Sequence, residues 1–245
     1  MKAMIFAAGT GSRLKPYTDH IPKALIPIDG KPMLEHIILK LKAAGFTEII
    51  INVHHLGEQI IEFLAGKDNF GITIHISDER DYLLDTGGGI KHAAQFLQGD
   101  EPFLVHNVDI ISNVDLKALY QHHLDTNPLA TLLVSKRDTS RYLLFNKENK
   151  LSGWRNKETG EVKSYYPDFD PSIHNEFAFN GIHVISPQIF EWMDEWTGKF
   201  SIINFYLAVC AKTPIQAFEQ ADLRILDIGK PDALELAQDF IKDIE

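Results

Sequence analysis

The chain has 245 residues, 44% of them hydrophobic and 24% charged, with a formal net charge of −10. That length supports one large α/β unit with a sizeable core, while the acidic balance argues against a nucleic-acid partner, because counterion release needs clustered Lys and Arg. Cys210 is the only cysteine, which excludes an intrachain disulfide. No apolar run is long enough for a membrane span, and no basic-then-apolar leader opens the chain, so it reads as cytoplasmic with no membrane partner.

Lys2 to Ala7 is a short apolar run that suits a buried strand. It leads into Ala8-Gly9-Thr10-Gly11-Ser12-Arg13. Two glycines one residue apart allow a tight turn with open amides, and consecutive amides form a concave nest for phosphate oxygens. Arg13 and Lys23 bring two positive charges to the same region, and small Ala7 and Ala8 leave room for a flat ring. The loop is not a dinucleotide fingerprint: Leu14 stands where a third glycine belongs, and the strand Glu48 to Val53 is followed by His54 rather than an acid. A P-loop is also excluded, since no Gly-Lys-Ser/Thr follows.

Pro32 suits the first turn of a helix with Met33, Leu34, Ile37, Ile38 and Leu41 on one face, capped near Gly45. The strand 48–53, a helix over 57–64 and a β-rich run over 72–77 continue the alternation. This predicts a doubly wound, mostly parallel sheet with ligands at the carboxyl ends of its strands. Thr86-Gly87-Gly88-Gly89 then precedes a helical run through Gln98. Three glycines weaken a helix interior, so the residues alone allow either a sharp turn or close approach of a ligand.

Pro102 to Asp109 reads as an apolar strand ending in Asn107-Val108-Asp109. An aspartate at a strand's carboxyl end, facing a phosphate loop, suits magnesium, which takes one or two carboxylates and completes its shell with phosphate and water. Asp115 reads as a turn cap. From Ala130 the runs 130–134, 142–146, 151–154 and 162–165 follow without helices, which suggests an antiparallel layer. A proline-bearing loop over 166–175 precedes a strand over 176–185. Its Asn180-Gly181 pair is a hairpin signal, and equally a pair able to line a pocket. Helices are expected over 187–196 and 201–212, a strand ending at Asp227, and a terminal helix over 232–244 packing through Leu234, Leu236, Ala237 and Phe240.

The run from Ala7 to Thr18, followed by Pro22-Lys23, resembles the signature of the sugar-1-phosphate nucleotidyltransferases. That signature is Ala-Gly-Gly-x-Gly-x-Arg-Leu-x-Pro-x-Thr, then Pro-Lys, and Ala8 stands here where many members have glycine. The Thr86-to-Gly89 spelling looks most like the stand-alone N-acetylmuramate-1-phosphate uridylyltransferase branch and its mannose-1-phosphate guanylyltransferase relatives. Asp109 matches the first metal aspartate, with Val108 before it in place of a common glycine. Asp227-Ile228-Gly229-Lys230-Pro231 matches the closing motif with Lys230 for Thr.

The resemblance implies a Rossmann-like, glycosyltransferase-A-type fold with a small antiparallel sugar-binding layer. It implies one unit over 1–245, with nucleotide binding mainly in 1–128, sugar binding mainly in 129–222, and a closing strand and helix in 223–245. The implied reaction moves a nucleotidyl group from an NTP, UTP favoured, to a sugar 1-phosphate, giving an NDP-sugar and pyrophosphate. In it Arg13 and Lys23 are catalytic, and Ala7, Ala8, Gly9, Thr10, Gly11 and Ser12, with Gly87, Gly88 and Asn107, hold the nucleotide. Asn180 and Gly181 meet the sugar, and Asp109 and Asp227 hold Mg²⁺. The family's Glu-Lys-Pro triplet is missing; Arg155 and Lys157 are the cations nearest its place. A GTP- or CTP-using member acting on mannose or heptose 1-phosphate, and a non-catalytic nucleotide-sugar-binding subunit, are the alternatives.

Overall fold

The computed structural model describes residues 1–229 and 231–244, so Lys230 of the closing motif lies outside the described residues. The first half alternates strand and helix as its periodicity requires: β1 (Lys2–Phe6), α1 (Met33–Ala43), β2 (Glu48–Val53), α2 (Gly57–Gly66), β3 (Thr73–Asp78), α3 (Asp85–His92) and β4 (Phe103–Asn107). A short β5 (Ile110–Ser112) and α4 (Leu116–Thr126) follow. The second half is mostly strand: β6 (Ala130–Ser135), β7 (Arg141–Phe145), β8 (Leu151–Asn156), β9 (Val162–Lys163) and β10 (Asn175–Ile185). It closes with α5 (Ile202–Val209), β11 (Ile215–Glu219), β12 (Ile225–Asp227) and α6 (Pro231–Ile244).

One ten-stranded sheet joins both halves. In its parallel part β1 lies between β2 and β4, with β3 outside β2, and Phe6, Asn52, Ser77 and Asn107 share the carboxyl-end level. Successive residues on these strands point to opposite faces. Ala3, Ile5, Ile49 and Ile51 therefore pack with Ile37, Ile38 and Leu41 of α1, while Met4, Ile50 and Val105 pack with Ile90 of α3 and Phe205 and Tyr206 of α5. Helices cover both faces, as expected for a doubly wound α/β fold.

β10 holds the two halves together. Its first residues pair antiparallel with β7, its last four pair with β4, and its other edge pairs with β6. The register against β6 shifts between Phe179 and His183. Asn180-Gly181 is therefore a bulge within one strand rather than a hairpin turn, with Gly181 at φ +71°.

Several local expectations change. The three glycines lie inside α3 rather than ahead of it, and Pro32 precedes α1 with extended ψ. Only Ile189–Trp192 of the expected 187–196 helix is helical, and Leu236 is exposed where a packing role was expected. The polar run of α4 and the strand β11 are not anticipated by the sequence reading. Asp115 caps α4 by accepting from the amides of Lys117 and Ala118, and Gly45 follows α1 at φ +94°. Cys210 is buried, its thiol pushed up to about 11 by desolvation.

Two buried histidines belong to this frame. His183 on β10 shares a hydrogen bond with the Tyr206 hydroxyl at 2.9 Å, and His123 on α4 lies between the Thr131 and Ser186 hydroxyls at 2.9 and 3.0 Å. Desolvation lowers His183 to about 3 and His123 to about 4. Both are neutral in the folded chain near pH 7, whereas the unfolded chain takes up their protons near 6.5. Between pH 6.5 and about 4 the unfolded state binds more protons, so stability falls as pH falls. The unfolding free energy from urea titrations is expected to be level above pH 7 and to fall from pH 6.5 to 4.5, by roughly 1 kcal/mol per pH unit for each histidine, with the midpoint falling in step. A level midpoint across that range would contradict this account.

Candidate active site

The 7–13 loop begins where β1 ends, and a buried side-chain relay sets its path. The Ala7 amide donates to Asn52 Oδ1 at 2.8 Å, and Asn52 Nδ2 donates to Glu79 Oε1 at 2.8 Å. The other oxygen, Glu79 Oε2, accepts from the Leu84 amide at 3.1 Å. Asn52 and Glu79 are almost wholly buried, and burial of such groups is tolerable only because each is satisfied. The relay ties the carboxyl ends of β1, β2 and β3 to the segment entering α3. Among the described residues, the amides of Ala8, Gly9, Thr10 and Gly11 donate to no protein group.

A cavity of about 380 Å³ opens at this level. Ala7, Ala8 and Gly9 form one wall, Asn52 and Glu79 the relay side, Asp85 and Thr86 the start of α3, and Asn107, Val108 and Asp109 the end of β4. Lys23 and Lys199 supply its positive charge. Lys23, a buried lysine, is ion-paired through Nζ to Asp109 Oδ2. Asp85 is held at φ +62°, a conformation a non-glycine residue adopts only under external constraint, and its Oδ1 accepts from the Thr86 amide at 2.6 Å.

Of the sequence-derived site residues, Ala7, Ala8, Gly9, Lys23, Asn107 and Asp109 line this cavity. Gly11, at φ +63°, faces Thr18, whose hydroxyl donates to the Gly11 carbonyl at 2.9 Å, so its glycine is a matter of loop shape. Gly9 has no atom within 4 Å of the place where a Cβ would stand. Thr10, Ser12 and Arg13 sit outside the cavity wall. Arg13 is exposed, and a Cβ on Gly229 would fall 2.5 Å from its Nη2 and 2.8 Å from Asp227 Oδ1. Asp227 is opposite Ile110 in the β12–β5 ladder, and the Ile228 amide donates to the Asp109 carbonyl at 2.8 Å. Arg13 and Asp227 thus flank Gly229, and the segment after Asp227 is tied to the Asp109 backbone, although the three residues are far apart in sequence.

Gly87 and Gly88 are placed differently from the expected base platform. Both amides donate to the Phe200 carbonyl, at 2.9 and 3.2 Å, and added Cβ atoms would meet the Phe200 ring at 2.4 Å and the Gly198 carbonyl at 2.5 Å. The close approach these glycines permit is that of the chain's own 198–200 segment. Asn180 is buried, accepting from Ser135 Oγ and Arg137 Nε at 3.2 and 3.1 Å, while its Nδ2 finds no acceptor among the described residues. Gly181 packs against Asn107, where a Cβ would stand 2.6 Å from Nδ2. Arg155 and Lys157 are both paired with Glu176, at 2.8 and 2.6 Å.

Asn52, Glu79 and Asp85 line the cavity without having been singled out from sequence, and Thr86 and Lys199 line it although the sequence reading gave them no site role. Asn52 sits one position before a strand's end, and Lys199 is a cation in an expected loop. Neither spacing distinguishes it from an ordinary surface residue. Among the described residues no group of three or more His, Cys, Asp or Glu side chains is arranged to hold a metal. Also among them, no helix is long and apolar enough to cross a membrane.

The glycine placements give a paired expectation. Gly88→Ala gains helix propensity of up to about 1 kcal/mol but drives a methyl into a backbone carbonyl, and is expected to lose about 1–3 kcal/mol of stability overall. Gly9→Ala projects into open space and is expected to stay within about 0.5 kcal/mol of the parent chain. Thermal or urea unfolding checks both, and a stabilised Gly88→Ala would refute the packing described for α3.

Residues 2–243 match the nucleotidyl transferase family. The N-acetylmuramate alpha-1-phosphate uridylyltransferase of Neisseria meningitidis serogroup B is 35% identical over 198 residues, covering 79% of each protein. A mannose-1-phosphate guanyltransferase of Gibberella zeae is 38% identical over 145 residues, 58% of this chain and 40% of that one. The structure of HddC from Yersinia pseudotuberculosis complexed with GMP-PN shares the fold, with a TM-score of 0.76 and 24% identity over 98% of this chain and 99% of that chain. With the open-amide loop, the Lys23–Asp109 pair and a family match over nearly every residue, the chain belongs to the nucleotidyl transferase family.

Proposed function

We propose that this chain transfers a nucleotidyl group from an NTP, UTP favoured, to a sugar 1-phosphate, forming an NDP-sugar and releasing pyrophosphate. The observation that carries this reading is the buried Lys23 paired with Asp109 in the cavity walled by the 7–9 loop. Attack by a sugar-phosphate oxygen on the α-phosphorus forms one P–O bond and breaks the α–β anhydride. Such a displacement needs chiefly positioning and charge neutralisation.

In that scheme the free amides of Ala8 to Gly11 and the Arg13 guanidinium take the β- and γ-phosphate oxygens. Lys23 lies between the α-phosphate and the incoming sugar phosphate, and Lys199 adds charge from the opposite wall. Lys23 is oriented by Asp109 and keeps two further N–H groups for phosphate oxygens. The Asp227 segment is tied to the Asp109 backbone through the Ile228 amide, and in this proposal the carboxylates of Asp109 and Asp227 hold Mg²⁺. They are hard oxygen donors in the number magnesium takes when phosphates and water complete its shell, so the residues fit that ion. Bound there, Mg²⁺ would offset charge on the α-phosphate.

The UTP preference is supported by the relative from Neisseria and by the Gly87-to-Gly89 spelling rather than by a contact to a base. A guanylyl-transferring reading is favoured by one observation, the 38% identity to the Gibberella guanyltransferase. The retention of Arg13, Lys23, Asp109 and Asp227 together counts against a non-catalytic subunit.

Pyrophosphate release measured with four NTPs and a panel of sugar 1-phosphates tests the reading. Release with UTP is expected to exceed release with the other three, and to stop when Mg²⁺ is chelated. Lys23→Ala and Asp109→Ala are each expected to lower kcat on the order of 10²- to 10³-fold with circular dichroism unchanged. Undiminished release in either variant would sink the assignment.

A further inference from the structure

Gly87, Gly88 and Lys91 share one face of α3. The glycines let the 198–200 segment close on the helix, and Lys91 holds the stretch that leads into it. Its Nζ donates to three main-chain carbonyls, Met193 at 2.7 Å, Asp194 at 3.1 Å and Trp196 at 2.8 Å. An ammonium has three N–H groups, so Lys91 is fully engaged with this segment. The carbonyls stand just past the helical turn Ile189–Trp192, where they lack intrahelical partners and favour a cation.

A second clamp closes the far side. The Phe200 amide donates to the Leu84 carbonyl at 3.2 Å, the Gly87 and Gly88 amides donate to the Phe200 carbonyl, and the Ile202 amide donates to Thr86 Oγ at 2.9 Å. Lys199 sits between the two clamps. Lys23 and Lys199 are the cations that line the cavity walled by the 7–9 loop, and Lys23 is already paired with Asp109. Among the described residues the Lys199 side chain has neither an ion pair nor a hydrogen bond. Arg155 and Lys157 are held by Glu176 and do not line this cavity.

An acceptor phosphate arriving beside the α-phosphate brings like charges together, and a free ammonium at that place offsets their repulsion. Lys199 also stands at a junction. Ser201, two residues on, lines a neighbouring cavity of about 540 Å³ together with Thr139 and Asn204, whose polar groups suit sugar hydroxyls. A sugar 1-phosphate would thus set its phosphate at Lys199 and turn its ring toward that cavity.

We infer that Lys199 anchors the phosphate of the acceptor, and that Lys91 is the residue that positions Lys199, by holding the 193–196 carbonyls on α3. The inference rests on the reading of nucleotidyl transfer to a sugar 1-phosphate. Lys91 does not itself line the cavity, so its effect passes through the segment.

The test takes the NTP and sugar 1-phosphate that give the fastest pyrophosphate release and measures KM for each in turn. Lys199→Ala is expected to raise KM for the sugar 1-phosphate on the order of 10- to 100-fold, and to leave KM for the NTP within about twofold. Lys91→Met keeps the apolar stem but removes all three donors. It is expected to raise the same KM on the order of 5- to 20-fold, and Lys91→Arg to recover part of that loss. Because Lys91 acts through Lys199, the double variant Lys91→Met/Lys199→Ala should be no worse than Lys199→Ala alone. No change in Lys199→Ala, or a rise for the NTP as large as that for the sugar 1-phosphate, overturns the anchor. Multiplied losses in the double variant, or a Lys91→Met chain with lowered Tm and unchanged KM, overturn the positioning role. No transfer to any sugar 1-phosphate with any NTP overturns the reading on which both rest.

Discussion

The side-chain amide of Asn52 holds the 7–13 loop in place. A loop that presents amides to phosphate must leave those amides unpaired, and unpaired backbone groups at a sheet edge tend to find partners. Asn52 takes the first amide of the loop, at Ala7, and through Glu79 fixes the segment that enters α3. The following residues then have neither a neighbouring strand nor a helix to bond. Because Asn52 and Glu79 are buried and mutually satisfied, the arrangement is stiff.

The same stiffness explains how distant charges meet. β5 and β12 form a two-stranded ladder beside the main sheet, and the Ile228 amide closes onto the Asp109 carbonyl. Asp109, Asp227 and Arg13 come from the end of the fourth strand, the last strand and the first loop. The small ladder, outside the main sheet, brings the Asp227 segment against Asp109 and Arg13. Lys23 beneath them is buried at low exposure, where an unpaired charge would be costly, and Asp109 supplies the counter-charge.

The three glycines of α3 show how a correct composition signal can carry two meanings. Their presence says that something approaches the backbone closely, and something does: the Phe200 carbonyl and ring and the Gly198 carbonyl at Gly87 and Gly88, and the Glu79 carboxylate with the Phe6 ring at Gly89. The effect of the first two on the cavity is indirect. By letting the 198–200 segment lie flat on α3, the glycines bring Lys199 to the cavity and set Ser201 at the start of α5.

The amino-acid sequence by itself determined the doubly wound α/β class, because alternation of period-two and period-3.6 apolar patterns is a local property. It also determined the loop chemistry, since Gly9, Gly11, Arg13 and Lys23 are close in the chain and their residue types carry their conformational and charge demands. What only the tertiary structure decided is everything that depends on which distant segment lies nearby. Asn52 and Glu79 form a relay because β2 and β3 are neighbours. Arg155 and Lys157 are spent on Glu176, and the Asn180-Gly181 pair is a bulge rather than a turn because β10 continues past it to a new partner strand. Those outcomes are set by strand order and register, which pair residues across tens of positions and leave no periodic trace in the chain.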